Sequence, residues 1–78
     1  MDNQAKVTEI IRRVTGNPVE IDAEESLFDS GILDSFALTD VIAEVEKEFS
    51  IKVPDSDLTP RKFASISKIV SYIEERQP

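Results

Sequence analysis

The stretch that decides the fold runs from Leu27 to Phe49, LFDSGILDSFALTDVIAEVEKEF. Its second half carries Leu38, Val41, Ile42, Val45 and Phe49 at i, i+3, i+4, i+7 and i+11. That spacing draws one face of an α-helix and does not fit strand alternation. Counting back, the helix starts near Asp34 or Ser35, either of which can accept hydrogen bonds from the free N–H groups of a first turn. The first half reads as a loop, in which Gly31 takes a backbone angle that other residues resist.

A serine at a helix start has a second property. Its Oγ leaves the helix end where unpaired N–H groups and the positive end of the dipole favour an anion, so a phosphoryl group on that oxygen is well placed. The plain alternative is that Asp34-Ser35 is only a cap.

Outward from this junction, Val7, Ile10, Ile11 and Val14 repeat the helical spacing, with Asp2 or Asn3 as cap and Gly16-Asn17-Pro18 as stop. Arg12 and Arg13 suit the C-terminal end of that helix. Residues 17–34 hold no sustained period, but Val19, Ile21, Leu27, Phe28, Ile32 and Leu33 predict an ordered loop docked across the helix ends, with Leu27-Phe28 as core anchors. After Phe49, Ser50-Ile51-Lys52-Val53-Pro54 has no second strand to pair with and reads as extended loop, with Ile51 and Val53 buried. Thr59-Pro60 predicts a short helix that carries Arg61 and Lys62 and turns Phe63 inward. Ser65 then caps a last helix with Ile66, Ile69, Val70 and Ile73 on one face and Tyr72 beside it. The expected fold is all-α: a small four-helix bundle of three long helices plus one short helix, in a single domain over 1–78.

Composition narrows the function. The 78 residues contain no cysteine and no histidine, which leaves no disulfide, no thiolate ligand and no base for a serine triad. Asp55-Ser56-Asp57 begins like a calcium loop but has Pro60 and Ile66 where that loop needs glycine and glutamate. Gly16 and Gly31 stand alone, so no Gly-rich phosphate loop exists, and Glu24-Glu25 fall in solvated loop. We therefore expect no catalytic residues and no metal site. The apolar runs are too short for membrane insertion. MDNQAKV has no secretory signal character, which points to the cytoplasm. A net charge of −7 disfavours nucleic acid and favours basic protein surfaces as partners.

The pattern around Ser35 resembles the attachment motif of acyl carrier proteins, Asp-Ser followed by a large apolar residue, here Asp34-Ser35-Phe36. The resemblance runs through nearly the whole chain: the first helix, Leu27-Phe28-Asp29 with Gly31, Glu46-Lys47-Glu48-Phe49, Ile51-Lys52-Val53-Pro54 and Ile69-Val70-Ser71-Tyr72-Ile73 fall in order. It implies a carrier with 4'-phosphopantetheine, donated by coenzyme A, on Ser35, and Asp34 in support; because the sequence runs from Met1 and ends just past the last helix, we expect it to be free-standing, and monomeric. A phosphopantetheinyl transferase would install the arm. An acyl- or aminoacyl-loading ligase or acyltransferase would charge it as a thioester, for delivery to a synthase or transferase of fatty-acid, polyketide, lipid or related biosynthesis. Ser30 also follows an aspartate but precedes glycine and no helix start. The resemblance places Phe36, Asp40, Ala43, Glu46 and Lys47 against partners, and Asp40 and Glu44 are expected to pair with partner arginine or lysine. Ala37 stands where the fatty-acid version is commonly acidic, Phe36 where it has leucine, and Lys47 interrupts its acidic helix end. These departures look more like carriers of D-alanine or of specialised acyl and polyketide groups. The alternative is a non-covalent acidic adaptor, or a degenerate carrier that is never phosphopantetheinylated.

Overall fold

The computed structural model describes residues 3–16 and 22–76. Among them are three α-helices: α1 (Asn3–Thr15), α2 (Ser35–Phe49) and α3 (Ile66–Arg76). The apolar stripes read from the spacing are the faces that become buried. Val7, Ile10 and Ile11 of α1 meet Leu38, Val41, Ile42, Val45 and Phe49 of α2 and Ile66, Ile69 and Ile73 of α3 in one core. Val14 and Val70 lie at its edge, half-buried. Helix α1 packs against both other helices. It stops at Gly16, whose φ of 69° suits glycine and whose N–H donates to Arg12 O at 2.8 Å. Asp2, Asn17-Pro18, Val19 and Ile21, assigned above as cap, stop and loop anchors, lie outside the described residues.

The connection into α2 is ordered where it is described. Leu27 is fully buried and Leu33 nearly so, while Phe28 and Ile32 pack against the core half-buried. Backbone bonds from Leu27 N to Ala64 O (2.7 Å) and from Ser67 N to Ala23 O (3.0 Å) stitch the loop to the start of α3. Leu33 N closes onto Leu27 O at 2.9 Å, which returns the chain to the point where α2 begins. Gly31, at φ 82°, makes the turn between them and donates to Phe28 O at 3.2 Å.

The expectation of a fourth, short helix after Thr59-Pro60 is corrected. The only short helical element among the described residues is one 3-10 turn at Asp55–Asp57, entered from Pro54 in extended conformation (φ −64°, ψ 150°). Residues 59–63 form a hydrogen-bonded turn, with Lys62 N donating to Thr59 O at 3.2 Å, so Arg61 and Lys62 stand on a turn and not on a helix. The physical reason lies in Asp57. Its carboxylate accepts from Lys62 Nζ (2.8 Å), Tyr72 Oη (2.7 Å) and an Arg76 guanidinium nitrogen (2.9 Å), so the chain is held to α3 at that point rather than continuing as a helix of its own. Phe63 turns inward as expected and meets Tyr72 edge to face, with centroids 4.9 Å apart. Ile51 is buried and Val53 half-buried in extended chain, and Ser65 Oγ caps α3 by accepting from Lys68 N at 3.2 Å.

Candidate functional site

The junction at the start of α2 is built by one carboxylate. Asp34 is in extended conformation (φ −125°, ψ −176°) and its Oδ1 accepts from Ala37 N at 2.8 Å. Its carbonyl accepts from Leu38 N at 2.9 Å. Asp34 is thus the N-cap, and Ser35 is the first residue of the helix. Between the two readings open above, the cap function belongs to the aspartate. The serine hydroxyl is left exposed, and no hydrogen bond to it is found among the described residues, while its carbonyl accepts from Thr39 Oγ1 at 3.2 Å.

Phe36, next in the chain, is 85% exposed, the one large apolar side chain fully presented to solvent among the described residues. Asp40, Ala43 and Lys47 are exposed too, so Phe36, Asp40, Ala43 and Lys47 form a continuous stripe beside the buried face. Two residues assigned with them are differently occupied. Glu44 is half-buried and takes an Arg13 guanidinium nitrogen at 3.2 Å. Glu46 accepts from Val53 N at 2.8 Å and so anchors the segment after α2.

Ser30 is separated from Ser35 by its surroundings. Its Oγ donates to Leu27 O at 3.3 Å within the turn that Gly31 closes, with no helix behind it. The tip of that loop is held in turn by Asp29 N donating to Ser26 Oγ at 3.3 Å.

Asp57 was not legible as an organising residue. Bonding from Lys62 and Tyr72, with Arg76 beside them, lowers its pKa from 3.8 to about 2. Burial, and then the hydrogen bond to Asp57, raise that of Tyr72. The partners stand five, fifteen and nineteen residues away, and no local pattern in the chain joins them.

No helix among the described residues is long and apolar enough to cross a membrane, and no group of three acidic side chains there is placed to hold a metal ion. The residues present do suit a phosphodiester-linked arm. An exposed hydroxyl stands on the first helical residue, at the positive end of a 15-residue helix, with its neighbouring carboxylate turned to the backbone.

Comparison with known proteins agrees with this geometry. The phosphopantetheine attachment site family matches residues 5–73. The D-alanyl carrier proteins of Streptococcus pyogenes serotype M5 (strain Manfredo) and serotype M1 are each 36% identical over 77 residues, covering 99% of this chain and 98% of theirs. In fold, the chain is similar to the solution structure of the holo acyl carrier protein from Geobacter metallireducens. The TM-score is 0.76 at 21% identity, over 97% of this chain and 86% of that one. With the match spanning nearly the whole chain and the arrangement at the start of α2 in place, this protein belongs to the phosphopantetheine attachment site family, carrier proteins of the acyl carrier type that bear covalent 4'-phosphopantetheine.

Proposed function

We propose that Ser35 is the attachment residue and that the protein carries an acyl or aminoacyl group between enzymes without catalysing a reaction itself. The observation that carries this reading is the division of labour at the start of α2: Asp34 satisfies the Ala37 N–H, which leaves the Ser35 hydroxyl exposed beside an exposed Phe36. Ser35 Oγ would hold the phosphopantetheine through its phosphate, and the terminal thiol of the group, when bound, supplies the atom on which cargo is held as a thioester. The chain's own residues do the rest. The helix end stabilises the phosphate charge, and Asp34 keeps the first turn closed. With no cysteine in the chain, no thiol of the protein competes for cargo.

The stripe of Phe36, Asp40, Ala43 and Lys47 is the surface that meets the phosphopantetheinyl transferase, the loading ligase or acyltransferase and the enzyme that receives the cargo. Phe36 supplies apolar area and Asp40 the charge for a basic partner. Glu44 joins this surface conditionally, because an exposed ion pair such as Arg13–Glu44 is worth only about 0.2–1 kcal/mol and can be exchanged for a partner's cation. Glu46 contributes by holding Val53 and not by touching a partner. Likeness to D-alanyl carrier proteins over the full chain favours an aminoacyl cargo, D-alanine first, over a long fatty chain. The setting this implies is a monomer in the cytoplasm, served by coenzyme A and an activating ligase.

The test is the intact mass of the purified protein after incubation with coenzyme A, magnesium and a broad-specificity phosphopantetheinyl transferase. The native chain and a Ser30→Ala variant gain one phosphopantetheinyl group and Ser35→Ala gains none. No gain in the native chain, shown to be folded and beside an active transferase control, overturns the carrier reading and leaves the acidic adaptor. Offering the modified protein D-alanine with its activating ligase, and fatty acids with an acyl ligase, then assigns the cargo class by mass.

A further inference from the structure

On the side of the molecule made by α3 and the turn before it lies a second surface that the carrier reading does not use. A groove of about 460 Å³ is lined by Arg61 and Lys62 of the turn and by Lys68, Tyr72 and Arg76 of α3, with the hydroxyls of Ser67 and Ser71 between them and Glu75 at its edge. It contains no residue of α2. Four of the chain's nine lysines and arginines line it, against one of its sixteen aspartates and glutamates. In a chain of net charge −7 the lining is locally basic, with the carboxylates of Asp57 and Glu24 beside it, bound to Lys62, Arg76 and Ser67.

The cations of the groove fall into two sets. Lys62 and Arg76 are committed to Asp57 at 2.8 and 2.9 Å, and Arg76 also stacks over the Tyr72 ring at 4.0 Å. These contacts hold the turn and the helix at a set separation and make an aromatic, cation-covered floor. Arg61 and Lys68 are exposed and have no ion-pair partner among the described residues. Elsewhere Lys6 and Arg13 are spent on Glu48 and Glu44 of the same chain. The groove therefore keeps two uncommitted charges, one on the turn and one on α3, and the Ser71 hydroxyl, while the Ser67 hydroxyl already donates to the Glu24 carboxylate.

The geometry points to a docking site for an acidic peptide segment on the surface of a partner protein, distinct from the α2 stripe. Charge complementarity selects the sign. Their placement favours a segment with several carboxylates: Arg61 stands on the turn and Lys68 on α3, so a chain that offers more than one acidic side chain can meet both. Side chains of glutamate or aspartate along a short segment would meet Arg61 and Lys68 in turn, with an apolar or aromatic residue against Tyr72. At physiological salt the Debye length is about 8 Å, so the chain's distant acidic groups oppose this contact only weakly. A carrier with faces of opposite sign could hold one partner through α3 while α2 presents cargo to another.

The test uses the 15N-labelled Ser35→Ala protein, so that the outcome does not depend on whether Ser35 is modified. The probe is the blocked peptide Glu-Glu-Tyr-Glu-Glu, added in an NMR titration. Saturable shifts confined to the amides of residues 61–62 and 67–76, weakening as sodium chloride rises, are expected. Arg61→Gln and Lys68→Gln each lower the affinity about two- to fivefold, as loss of one exposed ion pair does, whereas Lys52→Gln, an equal loss of charge outside the groove, leaves it unchanged. Absent or scattered shifts overturn the proposal, and so does a Lys52→Gln effect equal to that of Lys68→Gln. Inorganic phosphate, or vesicles of phosphatidylglycerol, moving the same amides more strongly than the peptide would reassign the groove to a phosphate or a lipid surface. Sedimentation that shows self-association abolished by Arg61→Gln would replace the foreign partner by a second copy of this chain.

Discussion

Replacing Leu27 by alanine tests whether the loop that delivers the chain to Ser35 is part of the core or only lies on it. The side chain is fully buried. The backbone on either side is fixed independently, by Leu27 N to Ala64 O at 2.7 Å and by Leu33 N to Leu27 O at 2.9 Å. With the main chain held at both points, the space left by the missing side chain closes poorly. The cost then falls toward the middle of the range of about 2–5 kcal/mol for buried leucine truncations, near 3–4 kcal/mol. A chain of this length has a total stability of about 4–12 kcal/mol, so the variant loses a large part of it. At about 4–8 °C per kcal/mol for a domain of this size, Tm falls by more than about 12 °C. The assay is thermal and urea unfolding by circular dichroism, with Phe36→Ala beside it as a matched removal of a large apolar side chain. Phe36 is 85% exposed, so its loss changes stability by no more than about 0.5 kcal/mol. A Leu27→Ala cost under about 1 kcal/mol, or equal costs for the two variants, would refute the reasoning and detach the loop from the core.

Other perturbations read single contacts. Asp34→Ala removes the acceptor of the Ala37 N–H and is expected to cost about 1 kcal/mol; an unchanged urea midpoint would show that the cap contributes nothing. The Asp57 carboxyl is held at about 2, below its ordinary 3.8, so its stabilising effect is full above pH 4 and is lost as pH falls toward 2. Stability measured from pH 5 downward should therefore fall more steeply for the native chain than for Asp57→Asn, and parallel curves would contradict the role given to this residue. Ser50 ends α2 in the left-handed region (φ 57°, ψ 44°), where a side chain is disfavoured by roughly 1–2 kcal/mol. Ser50→Gly recovers part of this, up to about 1 kcal/mol after the entropy cost of glycine, and a lower Tm would argue that the serine side chain is needed there.

The contacts made by Glu44 and Glu46 refine what an acidic helix face means. Both lie on α2 and look alike in the chain, but one is in an exposed ion pair with Arg13 and the other accepts from a backbone N–H seven residues on. An exposed ion pair is exchangeable at little cost. Removing the acceptor of a half-buried N–H leaves that donor unpaired, which costs about 1–3 kcal/mol. Glu44→Gln is expected to alter partner encounter with stability nearly kept, and Glu46→Ala, which removes the acceptor, to loosen the segment from Ile51 to Pro54 before it affects any partner.

What the sequence determined by itself was whatever depends on neighbours within a helical turn or two. The buried faces of α1, α2 and α3 follow from apolar residues at i, i+3 and i+4, because a helix turns once every 3.6 residues. The stop at Gly16, the Ser65 cap and a cap at Asp34 or Ser35 were legible for the same reason: each is a side chain or backbone angle acting within four residues of itself, and the structure then gave the second cap to Asp34. Ser35 stood out through the resemblance of Asp34-Ser35-Phe36 and its flanking segments to a known motif, and not through the Asp-Ser pair alone. The tertiary structure decided what depends on residues far apart in the chain. Thr59-Pro60 has the local form of a helix start, yet the helical turn lies at Asp55–Asp57. There one carboxylate gathers Lys62, Tyr72 and Arg76 from across a gap that spacing rules do not span. The pairing of Glu44 with Arg13 and the gathering of Arg61, Lys62, Lys68 and Arg76 into one groove are likewise set by how α1 and α3 pack. Charge position on a folded surface is a property of that packing and is not encoded in any single segment.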